Sequence, residues 1–136
     1  MVLKFGTAGA DGLDGTSGAD TLYGGPTTLA SSDNADDTLK GFGGDDLLEG
    51  FGGNDSILAG SGFDTVNGGD GDDFIDLGAD GGNALGWNGN DTIIGSAPTA
   101  HSETVSGGPG NDVISVSGSG GRDSSSASPA MRATTR

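Results

Sequence analysis

The sequence predicts an all-β repeat array whose very short strands stack into a continuous parallel sheet. Three observations predict it. From Gly41 to Ile94 the chain divides into blocks of nine: GFGGDDLLE, GFGGNDSIL, AGSGFDTVN, GGDGDDFID, LGADGGNAL and GWNGNDTII. Aspartate takes the sixth position at Asp46, Asp55, Asp64, Asp73 and Asp91. A large aliphatic residue takes the eighth at Leu48, Ile57, Val66, Ile75 and Ile93.

Each part of the block has its own reason. In Gly68–Asp76 the residues Gly68, Gly69 and Gly71 weaken any helix and offer no side chain to pack. The first six residues are therefore expected to form a turn, neither helix nor ordinary strand. Phe74-Ile75-Asp76 alternates out, in, out, which gives a three-residue strand with Ile75 inward. So short a strand holds only when stacked on copies of itself at about 4.8 Å.

The same register opens the chain. After an apolar lead-in (Val2, Leu3, Phe5), GTAGADGLD places Asp11 and Leu13, and GTSGADTLY places Asp20 and Leu22. Gly24 to Ser31 has no aspartate and is one residue short of a block, so it reads as a loop or a decayed repeat. SDNADDTLK restores the pattern at Asp37 and Leu39. In Leu77–Leu85, Gly82 stands in the aspartate slot and Ala84 in the aliphatic slot. Three extra residues, Gly95 to Ala97, are followed by a weak block with Glu103 and Val105, then by GGPGNDVIS with Asp112 and Ile114. The repeat body thus spans residues 1–115, irregular at 24–31, 77–85 and 95–106. Residues 116–136, rich in Ser, Ala and Thr, read as a disordered tail carrying Arg122, Arg132 and Arg136.

Composition narrows the function. With 30 glycines, 31% hydrophobic residues and a net charge of −15, only the period argues against disorder. The charge excludes nucleic acid and anionic membrane as partners and points to cations. The chain has no cysteine, hence no disulfide and no thiolate metal site. No apolar run is long enough to span a membrane, and Met1 to Phe5 lacks the apolar core of a cleaved leader. There is no H-E-x-x-H, nucleophile elbow or Cys–His pairing, so no enzyme is expected. His101 beside Glu103 reads as a loop histidine.

Stacking has an electrostatic consequence. Aspartates roughly 5 Å apart in a column repel by about 3 kcal/mol per neighbouring pair at an effective dielectric of ~20. A core of one aliphatic side chain per block does not absorb this. A hard divalent cation between turns does, and carboxylates with carbonyl oxygens are the donors calcium prefers.

These residues resemble a known family. GGDGDDFID and GGPGNDVIS match G-G-x-G-x-D-x-U-x, the calcium-binding repeat of RTX (hemolysin-type) proteins, at every defined position. GFGGDDLLE, GFGGNDSIL and GWNGNDTII each miss one glycine. The resemblance covers roughly Gly6 to Ser115. It implies a parallel β-roll, a right-handed solenoid with two nonapeptides per coil turn and several calcium ions between turns.

Carried onto this chain, it assigns metal ligation to Asp11, Asp20, Asp37, Asp46, Asp55, Asp64, Asp73, Asp91 and Asp112. Backbone carbonyls join them from Gly41, Gly44, Gly50, Gly53, Gly62, Gly68, Asp70, Gly71, Gly86, Gly89, Gly107 and Gly110. One ligand column runs Asp37, Asp55, Asp73, Asp91 and Asp112. The other runs Asp46, Asp64, the gap at Gly82, and Glu103. Which of Asp11 and Asp20 heads which column depends on how Gly24–Ser31 counts. The off-register acids Asp14, Asp33, Asp36, Asp45, Asp72, Asp76 and Asp80, and the Asp70 side chain, read as surface charge. Phe42, Phe51 and Trp87, at the second position, read as a contact surface or as packing over neighbouring turns.

The expected function is calcium binding with calcium-dependent folding of a secreted, monomeric, non-catalytic module. The alternatives are an adhesive, ligand-binding surface and the detached C-terminal domain of a secreted RTX enzyme or toxin. Ice binding is disfavoured, because the third position carries no threonine ladder. RTX proteins usually leave by a one-step (type I) route read from an uncleaved C-terminal segment. This basic, apolar-poor tail is a weak match to such a signal.

Overall fold

The computed structural model describes residues 1–26, 34–96, 104–117 and the backbone of 122–123. Thirteen strands and no helix are present among them, arranged in two sheets whose paired strands all run parallel. One sheet has seven strands in spatial order: β1 (Leu3–Phe5), β3 (Thr21–Tyr23), β5 (Leu47–Gly52), β7 (Asp64–Asp70), β9 (Gly82–Asn88), β11 (Thr104–Ser106) and β13 (Arg122–Asp123). The other has six: β2 (Gly12–Thr16), β4 (Thr38–Gly43), β6 (Ser56–Ser61), β8 (Phe74–Asp76), β10 (Thr92–Ser96) and β12 (Val113–Ser117). Consecutive strands alternate between sheets, so two nonapeptides make one coil. The chain is a β-solenoid of about six coils.

The eighth position forms the core, as its period requires. Leu22, Leu39, Leu48, Ile57, Val66, Ile75, Ala84, Ile93, Val105 and Ile114 are buried, with Leu13 packed alongside. Ala59 and Leu77, first-position residues, are buried with them and were not legible as core. The three-residue strand expected at Phe74–Asp76 is β8, with Ile75 inside.

Elsewhere the turn is shorter than expected. β4, β5, β6, β7 and β9 continue through positions one to three, so Gly68 and Gly69 lie within β7. The physical reason is the register. Glycines at those positions pair with the next coil at the same spacing as the aliphatic stretch, Gly69 opposite both Phe51 and Trp87. Only positions four to six turn the chain from one sheet to the other.

Register also settles the irregular segments. Gly12 pairs with Thr38 and Thr21 with Leu47, an offset eight residues longer than that between paired residues in the central coils, such as Thr38 and Ser56. The eight-residue excess therefore lies within one coil, between Tyr23 and Thr38, and is not half a turn. Gly24 still pairs as a first-position residue, its N–H donating to the Glu49 carbonyl, and residues 27–33, on which most of the loop or decayed-repeat reading falls, lie outside the described residues. Gly95 and Ser96 continue β10 and pair with Val116 and Ser117, so the three-residue excess falls after Ser96 rather than at Gly95. β12 runs two residues past Ser115, and β13 pairs with β11. The remainder of the tail lies outside the described residues.

Candidate metal centre

Each register aspartate ends a turn and points into the coil at the start of a strand. Asp20, Asp37, Asp46, Asp55, Asp64, Asp73 and Asp91 are at most 3% exposed. One carboxylate oxygen of each has a fixed partner in the coil before it. The N–H of Asp37 donates to Asp55 Oδ1 at 2.7 Å, that of Asp55 to Asp73 at 2.8 Å, and that of Asp73 to Asp91 at 2.9 Å. The same bond joins Asp11 to Asp37 and Asp91 to Asp112. On the opposite edge it joins Asp20 to Asp46 and Asp46 to Asp64. Asp11 thus heads the first column and Asp20 the second.

The other oxygen decides what the site is for. Oδ2 of Asp46, Asp64, Asp73 and Asp91 is buried without a hydrogen-bond partner. Buried acceptors in that condition are rare and call for an explanation. First-position glycines supply the surrounding space. A methyl group built on Gly41, Gly68 or Gly86 would collide with Oδ2 of Asp46, Asp73 or Asp91 in the same block. The Gly86 methyl would also lie 2.6 Å from the Gly107 carbonyl oxygen of the next coil, and the Gly68 methyl 3.1 Å from that of Gly86. Carboxylate and carbonyl oxygens therefore converge on interior spaces along both columns, left open because glycine has no side chain.

Burial makes these carboxylates hard to ionise unaided. It pushes Asp73 up to about 7, with the charges of Asp55 and Asp91 adding to the effect. It likewise pushes Asp64, facing Asp46, and Asp91, facing Asp112, up to about 6. Asp46 is raised for the same reason. Asp20 goes the other way. Burial raises it, but hydrogen bonds from Thr16 and Val2 outweigh burial, and its value falls. Thr16 closes its own turn by donating both N–H and Oγ1 to Asp20 Oδ2, at 2.6 and 2.8 Å. Thr7 does the same for Asp11. Second-position threonine thus gives Oδ2 of Asp11 and Asp20 the hydrogen-bond partner that Oδ2 of Asp46, Asp64, Asp73 and Asp91 lacks, a role the sequence reading missed.

The fourth-position glycines stack the turns. Gly44, Gly53, Gly62, Gly71, Gly89 and Gly110 all have positive φ. A methyl on Gly62, Gly71, Gly89 or Gly110 would run into the carbonyl of the fourth-position glycine one coil earlier. Gly50 and Gly107 line the first column as Gly68 and Gly86 do. Asp70 is placed differently: its side chain is exposed, accepts Asn88 Nδ2 at 2.7 Å, and its carbonyl accepts the Gly53 N–H. Asp36, Asp45, Asp72 and Asp80, read as surface charge, each accept a backbone N–H from a neighbouring coil. Glu103 and His101 lie outside the described residues. Among the described residues no three acidic or histidine side chains cluster as a metal site, so any cation here depends on carbonyl donors.

A family model, the RTX calcium-binding nonapeptide repeat (4 copies), matches residues 5–26, 31–50, 49–83, 85–97 and 99–124. The chain belongs to this family. No curated protein and no solved structure matches it. The donor set fits the family's cation: hard oxygens only, carboxylate plus carbonyl, converging where a methyl group would not fit.

Proposed function

We propose that this RTX chain is a calcium-binding module that folds when its interior levels are filled, and that it works outside the cell without catalysing a reaction. One observation carries the reading: buried Oδ2 atoms of Asp46, Asp73 and Asp91 lack hydrogen-bond partners and face glycine-lined space. Bound calcium supplies the positive charge that these oxygens lack. Asp73 and Asp91, with the Gly86 and Gly107 carbonyls, would hold it on the first column. Asp46 and Asp64 would hold it on the second. Their Oδ1 atoms, tied to the preceding coil, keep each carboxylate aimed inward, so binding and stacking are one event.

Turns whose donors are backbone carbonyls and carboxylates suit millimolar calcium, which supports extracellular use. Binding to the folded state alone stabilises it by about 2.7 kcal/mol per site at a hundredfold excess over Kd. Circular dichroism of the chain titrated with calcium tests the reading. Cooperative gain of β signal, reversed by chelator, is expected; a β spectrum unchanged by excess chelator sinks it.

An adhesive surface is the second reading, favoured by Trp87. It is 52% exposed, sits at φ 76° and lines a shallow cavity of about 210 Å³ with Leu85, Ser106, Gly108 and Pro109. The calcium-loaded chain should then label a glycan array, and Trp87→Ala should abolish the label. Labelling that survives the substitution removes Trp87 from the reading.

A further inference from the structure

On the second edge the aspartate-to-aspartate bonds run from Asp20 through Asp46 to Asp64 and, among the described residues, go no further. Beyond Asp64 the next turn, Leu77 to Gly82, differs from its counterparts in three independent ways. Gly82 stands opposite Asp64 in β9 and brings no carboxylate. Leu77 replaces the first-position glycine, and its side chain is fully buried in the core beside the likewise buried Ala59. The nearest acid, Asp80, is turned to a different task. In ordinary turns the fourth-position N–H donates to a third-position carbonyl of the next coil, as Gly44 does to Ser61 and Gly53 to Asp70. Here the Gly62 N–H donates to Asp80 Oδ2 instead, at 3.2 Å. Asp80 therefore serves as a backbone acceptor.

We propose that Leu77 is an apolar plug: its side chain packs where the other turns leave space for a cation, and the roll is closed at this level by hydrophobic contact instead of calcium. This rests on the calcium reading above and concerns which levels it applies to. The two edges are then unequal. Asp73 is shared by two cation levels, toward Asp55 and toward Asp91, whereas Asp64 belongs to one, toward Asp46.

Native mass spectrometry in calcium counts the ions directly. Leu77→Gly combined with Gly82→Asp should take up one ion more than the parent chain, and Leu77→Gly alone should take up none more and melt lower at saturating calcium. An unchanged count in a folded double variant overturns the plug. If the double variant does not fold, the parent register supplies the test: Asp73→Asn should lose two ions and Asp64→Asn one, and equal losses overturn the proposal. A parent chain that binds no calcium refutes the underlying reading instead, so the two failures are distinguishable.

Discussion

At Phe42, Phe51 and Trp87 an aromatic L-residue is held at φ 71°, 81° and 76°, the region occupied by Gly60, Gly69, Gly78 and Gly108 at the same position in other coils. Backbone strain of this kind costs on the order of 1–3 kcal/mol per residue. Phe51 recovers part of it by stacking on Tyr23, ring centroids 5.9 Å apart. Phe42 is 55% exposed and buries little in return. Phe42→Gly should therefore raise the melting temperature of the calcium-loaded chain, by roughly 1 kcal/mol of stability. A fall would mean that packing over neighbouring coils outweighs the strain. Gly68→Ala tests the opposite demand, because its methyl would collide with Asp73 Oδ2. Calcium affinity should drop about tenfold, or ~1.4 kcal/mol, by titration calorimetry. Unchanged affinity would show that the interior space at Gly68 is not a cation site.

Between coils, the elements are joined by a ladder that no local pattern discloses. Oδ1 of Asp36, Asn54, Asp72 and Asn90 each accepts the backbone N–H of the fifth-position residue in the next coil, at 2.7–3.0 Å. Amides interleave with acids along it, which spares the edge a second unbroken anionic column. Asp72→Ala should cost about 1–2 kcal/mol in denaturant melts at saturating calcium, as loss of a charge-assisted backbone bond does. Asp70→Ala, which loses only a surface contact to Asn88, should cost less. Equal costs would deny the ladder a structural role. Asp72 was unreadable as a strut because its partner, Asn90, is a full coil away in sequence. The strands' extension through Gly68 and Gly69 was hidden for a related reason: glycine pairs reproduce a turn signal, and only cross-coil pairing makes them strand. What did show in the sequence was what faces inward. Asp55, Asp73, Ile57 and Ile75 repeat because every coil presents the same interior positions. Leu77 broke that period, and its burial could not be read without knowing that position one points inside.

Across the whole molecule, the buried carboxylates tie folding to pH in opposite senses with and without calcium. Asp73 rises to about 7, and Asp64 and Asp91 to about 6, from an ordinary 3.8. Because these values are raised on folding, the folded state binds more protons than the unfolded one between those limits. The metal-free roll is thus most stable below the unfolded value and loses that stability as pH rises through 6 to 7. Calcium reverses the sign, since it needs the carboxylates ionised, and protons compete with it as pH falls through the same window. In chelator, β signal should be greater at about pH 5 than at ~pH 8; in saturating calcium, affinity should be greater at ~pH 8. The net charge of −15 also weakens on acidification and pushes the metal-free chain in the same direction. Asp73→Asn separates the two causes, because it removes the highest-titrating group while changing the net charge by one. The metal-free chain should then lose the part of its pH dependence centred near 7 and keep the rest. A variant whose profile matches the parent's would show that overall charge, not the buried column, sets the response.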